Sequence, residues 1–205
     1  MTKEIDKQLD DKEKKLRKKI EKQVENKKYQ DKITPIQQKF IETYITWQSV
    51  SAFEFGPAGE PNALLRSNIN NFPTNSSKIE SNIQSNDYNL DAASNYSAKG
   101  LPALDYILFH TSQNELLSEL ADASRLNYMK ECVSDMKSRV DYVVYGWDSY
   151  RNTFVESQGN DQNSSLSLFF NYFLYDYEQI KRNKFALPAG FATEFGIPIS
   201  MDTSK

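Results

Sequence analysis

Apolar positions along this chain recur at intervals of three and four rather than two, the period of one face of an α-helix. Residues 3–28 carry a thin stripe of Ile5, Leu9, Leu16, Ile20 and Val24 in an otherwise charged segment, which reads as a solvated, surface-lying helix. Lys12 and Glu13 interrupt the stripe, and two heptads are too few for a coiled coil. Thr34-Pro35 then predicts a fresh start, because proline suits the first helical position and threonine caps it. Ile36, Phe40, Ile41, Tyr44, Ile45 and Trp47 follow on one face, and Phe55-Gly56-Pro57 ends the run. Residues 58–99 are rich in Asn and Ser, and their short apolar clusters (Leu64-Leu65, Ile69, Phe72, Ile79, Ile83) predict helices of one or two turns pinned to a bundle.

Gly100 to Phe109 reads as a compact apolar helix, and residues 113–126 as another through Leu116, Leu117, Leu120 and Leu126. The clearest helix has a stripe of Met129, Val133, Met136, Val140, Val143, Val144, Trp147, Tyr150 and Phe154, ending before Gly159. Ser164 to Asn183 is apolar and aromatic nearly all round, which predicts a position at the centre of the bundle. The expectation is an all-α helical bundle, with a charged N-terminal helix over 1–32, the bundle over 33–198 and a tail over 199–205.

Composition agrees with long elements: seven Gly and seven Pro in 205 residues are too few for a turn-dense β-fold. Charge is uneven. Residues 1–28 hold 11 Lys/Arg against 7 Asp/Glu, while the whole chain is net −3. So many interspersed acids, with no dense basic face, exclude a nucleic-acid arm. The single Cys132 excludes an internal disulfide. No apolar run approaches the ~20 residues of a membrane span, and Met1 to Lys28 lacks the apolar core of a signal peptide.

Candidate chemistry is sparse. His110 is the sole histidine and falls where a helix ends, a place where imidazoles meet terminal carbonyls. Cys132, on the long helix, reads as a small buried hydrophobe with no basic partner to activate it. Asp105, Asp176 and Glu178 are carboxylates set in apolar helices. Asp105 suits a first-turn dipole position, and Glu178 an i,i+4 pair with Arg182. No phosphate-binding loop, nucleophile elbow or HExxH motif is present.

Several segments in order carry a resemblance: Trp47, Phe53-Glu54-Phe55-Gly56-Pro57-Ala58, Leu65-Arg66-Ser67-Asn68, Phe72-Pro73 and Lys99-Gly100-Leu101-Pro102-Ala103-Leu104-Asp105-Tyr106-Ile107-Leu108-Phe109. Tyr150-Arg151, Ser164-Ser165-Leu166-Ser167-Leu168 and Asp176-Tyr177-Glu178 complete it. Over about residues 36–198 the chain resembles the imelysin family, in particular its cell-envelope members. The resemblance implies two bundle-like helical halves with a site between them, and a periplasmic or outer-membrane-anchored location. It also implies a link to iron or haem uptake, and a metallopeptidase label from the founding insulin-cleaving member. Iron, haem and zinc are the cofactors it brings into view, with Asp105 and His110 as weak metal candidates. By resemblance the binding residues are Gly56, Pro57, Arg66, Gly100, Pro102 and Asp105. The family's Gly-x-His-x-x-Glu signature stands here as Gly100, Pro102 and Asp105, so proline replaces the imidazole and aspartate the glutamate. The chain also ends where the family would enter its second half, so a first half with an exposed apolar face is expected, open to self-association or to a missing second half-domain. A non-catalytic binding module leads, a metallopeptidase-like enzyme using Asp105 and His110 comes second, and a helical assembly protein third.

Overall fold

The computed structural model describes residues 2–159, 161–162, 164–187 and 189–191, with backbone alone at 2–10, 13, 25, 26, 28–30, 114 and 184. The side chains of Ile5 and Leu9, residue Pro188 and the 199–205 tail thus lie outside the described residues. The described residues form seven α-helices, in chain order α1 (Thr2–Gln48), α2 (Leu65–Ile69), α3 (Ser76–Ser85), α4 (Gly100–Phe109), α5 (Gln113–Leu120), α6 (Ala123–Glu156) and α7 (Ser165–Gln179). Two 3₁₀ turns, Gly56–Gly59 and Ala93–Ala98, join them, and a wider π turn over Ile180–Ala186 extends α7. The described residues contain no strand, so the expected all-α class holds.

The expected start at Thr34-Pro35 is corrected, because α1 runs unbroken through Pro35 and across the boundary expected at 32–33. A proline inside a helix removes one hydrogen bond and costs about 3 kcal/mol. Strong helix formers on its N-terminal side and packed Phe40 and Trp47 on its C-terminal side outweigh that local loss. Ile33 is the first buried residue among the described side chains of α1, and Leu16, Ile20 and Val24 are half or more exposed. The charged segment is therefore a solvated helix whose described stripe is not laid against the bundle.

A second correction concerns the centre of the bundle. Burial belongs to α4, where Gly100 to Leu104, Ile107 and Leu108 are all buried. α4 packs on α1, α2, α3, α5 and α6. By contrast α7 buries no described residue, and Leu166, Phe170, Phe173, Leu174, Tyr175 and Tyr177 are each at least half exposed. Its all-round apolar character marks an uncovered face instead of a central one.

The long helix also turns differently from expectation. Its buried face is Arg125, Tyr128, Cys132, Arg139 and Val143, whereas Val133, Val140 and Val144 are exposed. The apolar period misses this face because two arginines occupy it, held by acids from α3, from the segment after it and from α6 itself. Arg125 meets Glu80 at 2.6 Å, and Arg139 meets Asp135 at 2.9 Å and Asp91 at 2.6 Å. Nor is 113–126 one helix. Ser112 and Glu115 form a reciprocal capping box that starts α5, and Asp122 caps a new start by accepting from the Ser124 amide.

Tyr128 and Cys132 anchor the main core with Ile79, Ile83, Ala98, Ala103, Leu104 and Ile107. Burial pushes the Cys132 thiol up to about 12, which leaves it un-ionised and inert. A second cluster, Trp47, Ile69 and Leu101, ties α1, α2 and α4 together. Gly100 makes that approach possible. Its φ is +73°, and a Cβ there would stand 2.4 Å from the Ile69 carbonyl oxygen and 2.8 Å from that of Asn68.

Gly100→Ala is therefore expected to destabilise the chain by about 3 kcal/mol or more, adding backbone strain to a clash with a carbonyl. Gly159→Ala, also at positive φ (+136°) but with its nearest neighbour 3.9 Å away, is expected to cost roughly 1 kcal/mol. Urea unfolding of both variants measures the difference.

Candidate functional site

The end of α1, α2 and α7 converge on Arg66. Glu54, in the loop after α1, accepts the Arg66 backbone amide at 2.8 Å through Oε1 and meets the Arg66 Nε at 3.0 Å through Oε2. From α7, Asp176 Oδ1 stands 3.3 Å from Arg66 Nη2, while Ser51 Oγ donates to Asp176 Oδ2 at 3.1 Å. The same Nη2 donates to the Ser51 carbonyl at 3.0 Å. The guanidinium also lies 4.7 Å from the centre of the Tyr175 ring. All three charged side chains are about 15% exposed, so each charge relies on the others for solvation. Burial raises the Glu54 carboxyl above its ordinary value, Arg66 pulls it back through its amide and its charge, and Asp176 pushes it up again.

Beside this cluster is a cavity of about 260 Å³. Aromatic rings (Tyr44, Trp47, Phe72, Tyr175) and carboxamides (Gln48, Asn70, Asn71, Gln179, Asn183) line it, with Arg66 and Asp176 the charged residues among the described lining. Among the described residues, Trp47 Nε1, Arg66 Nη1 and Asn70 Oδ1 have no hydrogen-bond partner, and all three atoms are packed out of contact with the cavity space.

The residues expected from the resemblance separate into four places, of which the Arg66 cluster is the first. Pro102, Asp105 and His110 share an open groove with Phe40, Ile41, Tyr44 and Ile45 of α1. Tyr44 also lines the Arg66 cavity, so groove and cavity adjoin. Pro102 is buried and Asp105 exposed. Since α4 begins at Gly100, Asp105 lies in its second turn rather than at the first-turn dipole position expected for it. His110 follows the last residue of α4. Its Nδ1 donates to the Tyr106 carbonyl at 2.7 Å, its Nε2 stands 3.2 Å from Glu119, and its ring stacks on Tyr106 at 4.5 Å. Both ring nitrogens are thus engaged, as the helix-end reading expected.

Gly100 sets the α2–α4 approach described above. Gly56 and Pro57 line neither cavity nor groove. They dock the first 3₁₀ turn on α6, where a Cβ on Gly56 would meet the Tyr150 ring at 2.4 Å and one on Gly146 would meet Pro57 at 2.6 Å. Glu178 pairs with Lys181 at 3.3 Å instead of the expected Arg182. Among the described residues no group of three or more His, Cys, Asp and Glu stands together as a metal cluster.

Sequence reasoning missed the Arg66–Glu54–Asp176 triad as a unit, because its members are 12 and 110 positions apart from Arg66. It also missed Lys99, whose fully buried ammonium meets Asp135 at 3.0 Å and donates to the Leu90 carbonyl at 2.5 Å. Burial lowers the Lys99 pKa and Asp135 resists that shift. The signal available for Lys99 was its place one residue before the tightly packed Gly100.

The imelysin family model, under the peptidase M75 heading, matches residues 6–196. No curated protein and no solved structure is matched.

A carboxyl whose folded pKa is raised adds stability below its unfolded pKa and loses it as pH rises through the folded value. The free-energy gap between wild type and Glu54→Gln should therefore shift in favour of the variant as pH rises from about 4 to about 7. Urea midpoints across that range test it, and a gap that is flat or shifts the other way contradicts the burial-dominated environment of Glu54.

Proposed function

We propose that this chain, which belongs to the imelysin family, is a non-catalytic binding module of the cell envelope. The observation that supports a binding role is the cavity beside Arg66, which combines aromatic rings and carboxamides around a paired Arg66 and Asp176. The Gly100–Pro102–Asp105 positions do not fit a metal. Proline has no ligand atom, Asp105 is exposed, and both nitrogens of His110 are engaged within the protein. The tie to iron or haem uptake that the resemblance implies then runs through recognition of a ligand or carrier, not through ligation at this motif.

The test incubates the purified chain with Zn²⁺, Fe²⁺ or haem, desalts it, and measures metal content, visible absorbance and cleavage of an insulin chain. Substoichiometric metal and haem with no cleavage is the expected result. One equivalent of metal, lost together with cleavage in Asp105→Ala and His110→Ala, would replace this reading with the metallopeptidase one.

One observation favours a second reading, an assembly protein that pairs with another copy of itself. The apolar face of α7 carries Phe170, Phe173 and Leu174, each more than half exposed, a surface that water does not favour leaving bare. Light scattering after size exclusion is expected to show a dimer that the double variant Phe170→Ser/Leu174→Ser converts to monomer. A wild-type chain that stays monomeric at high concentration rejects it.

A further inference from the structure

We propose that the cavity enclosed by the end of α1, α2 and α7 binds a neutral polyhydroxylated ligand, a single sugar unit, an inference that rests on the binding-module reading above. Charge decides the class first. The cavity's two charged lining residues, Arg66 and Asp176, are of opposite sign and already paired at 3.3 Å, with Glu54 behind them holding the Arg66 Nε at 3.0 Å. An anion would have to compete with two carboxylates for the guanidinium, and a cation would be repelled by it. A ligand without net charge disturbs neither.

Hydrogen-bonding capacity narrows the class further. Five carboxamides, Gln48, Asn70, Asn71, Gln179 and Asn183, line the walls, and each carries both donors and an acceptor. Hydroxyl groups match them, because a hydroxyl donates and accepts at a single atom. A site built this way discriminates by hydroxyls, since a ligand lacking them leaves these groups unpaired.

Shape and size agree. Tyr44, Trp47, Phe72 and Tyr175 offer flat apolar surface against which the C–H faces of a sugar ring pack. The volume of about 260 Å³ lies just below the ~300 Å³ at which pockets for larger ligands begin. That space suits one ring and is too small for a macrocycle.

The test is saturation-transfer NMR of the full chain against three probe sets: neutral monosaccharides (galactose, xylose, N-acetylglucosamine), their charged relatives (glucuronate, glucosamine), and neutral capped dipeptides. Trp47→Phe, which shrinks the ring surface on the cavity wall, and Asn71→Ala, which removes a carboxamide from it, are run alongside, with circular dichroism as the check on folding. Binding of at least one neutral monosaccharide, weakened about tenfold in Trp47→Phe while the fold is retained, is the expected outcome. Should a variant fail to fold, competition settles the site in the wild type, by nuclear Overhauser contacts from the bound sugar to the Trp47 and Tyr175 rings. Signals from charged sugars or dipeptides alone, lost in Trp47→Phe, would overturn the ligand class and leave the binding module standing. No signal from any set, together with insulin cleavage in the metal assay, would overturn both.

Discussion

The guanidinium of Arg66 is the charged group through which α7 is tied to α2 and to the loop after α1. Glu54 fixes it from the α1 side and Asp176 from α7, and its backbone amide is tied to Glu54 as well. Because α7 buries no described residue, little hydrophobic free energy secures it. Its other anchors include tilted ring contacts, such as Phe169 on Phe53 at 5.7 Å and Tyr172 on Phe55 at 5.8 Å, and the Ser165 hydroxyl donating to the Phe154 carbonyl. A partly buried ion-pair triad is a poor source of net stability but a strict geometric device, since removing one member leaves the others uncompensated. Here it fixes where α7 sits, and so creates the cavity wall formed by Tyr175, Asp176, Gln179 and Asn183.

The opposite wall depends on a different constraint. Gly100 lets the start of α4 press against the carbonyls that end α2, which fixes Arg66 one turn earlier in α2 relative to Trp47 and Leu101 in the adjoining core. On the far side of α4, the Lys99–Asp135–Arg139–Asp91 chain of charges clamps the 3₁₀ turn before α4 to α6. Both clamps place buried cations where a purely apolar bundle would place leucine. The helices are thus oriented by buried charge pairs as well as by hydrophobic packing.

Helix existence was legible in the sequence because 3.6-residue periodicity is a local property, and α4, α6 and α7 fall close to where the spacing puts them. What periodicity does not carry is which face or which helix is covered. The valines at 133, 140 and 144 keep the period yet face solvent, while Arg125 and Arg139 break it and are buried, because their acids arrive from residues 80 and 91. The aromatic run of α7 reads as central for the same reason, since hydrophobicity alone does not say whether a partner is present. Pro35 misleads in another way: its local preference for a helix start is overridden by the packed segment that follows. At the candidate site, Arg66 and Asp105 were named from family-like motifs, and Asp176 was singled out for its apolar setting. Their sorting into a closed ionic lock and an open groove required tertiary distances.

Amide hydrogen exchange along α7, compared between the native chain and Arg66→Met, tests most directly whether this lock holds the last helix and builds the cavity. Protection of Ser165–Gln179 should fall about a hundredfold or more in the variant, while α4 and the Tyr128–Cys132 turn of α6 keep theirs. Unchanged protection in α7, or a uniform loss over every helix, would show that Arg66 does not hold that helix in place.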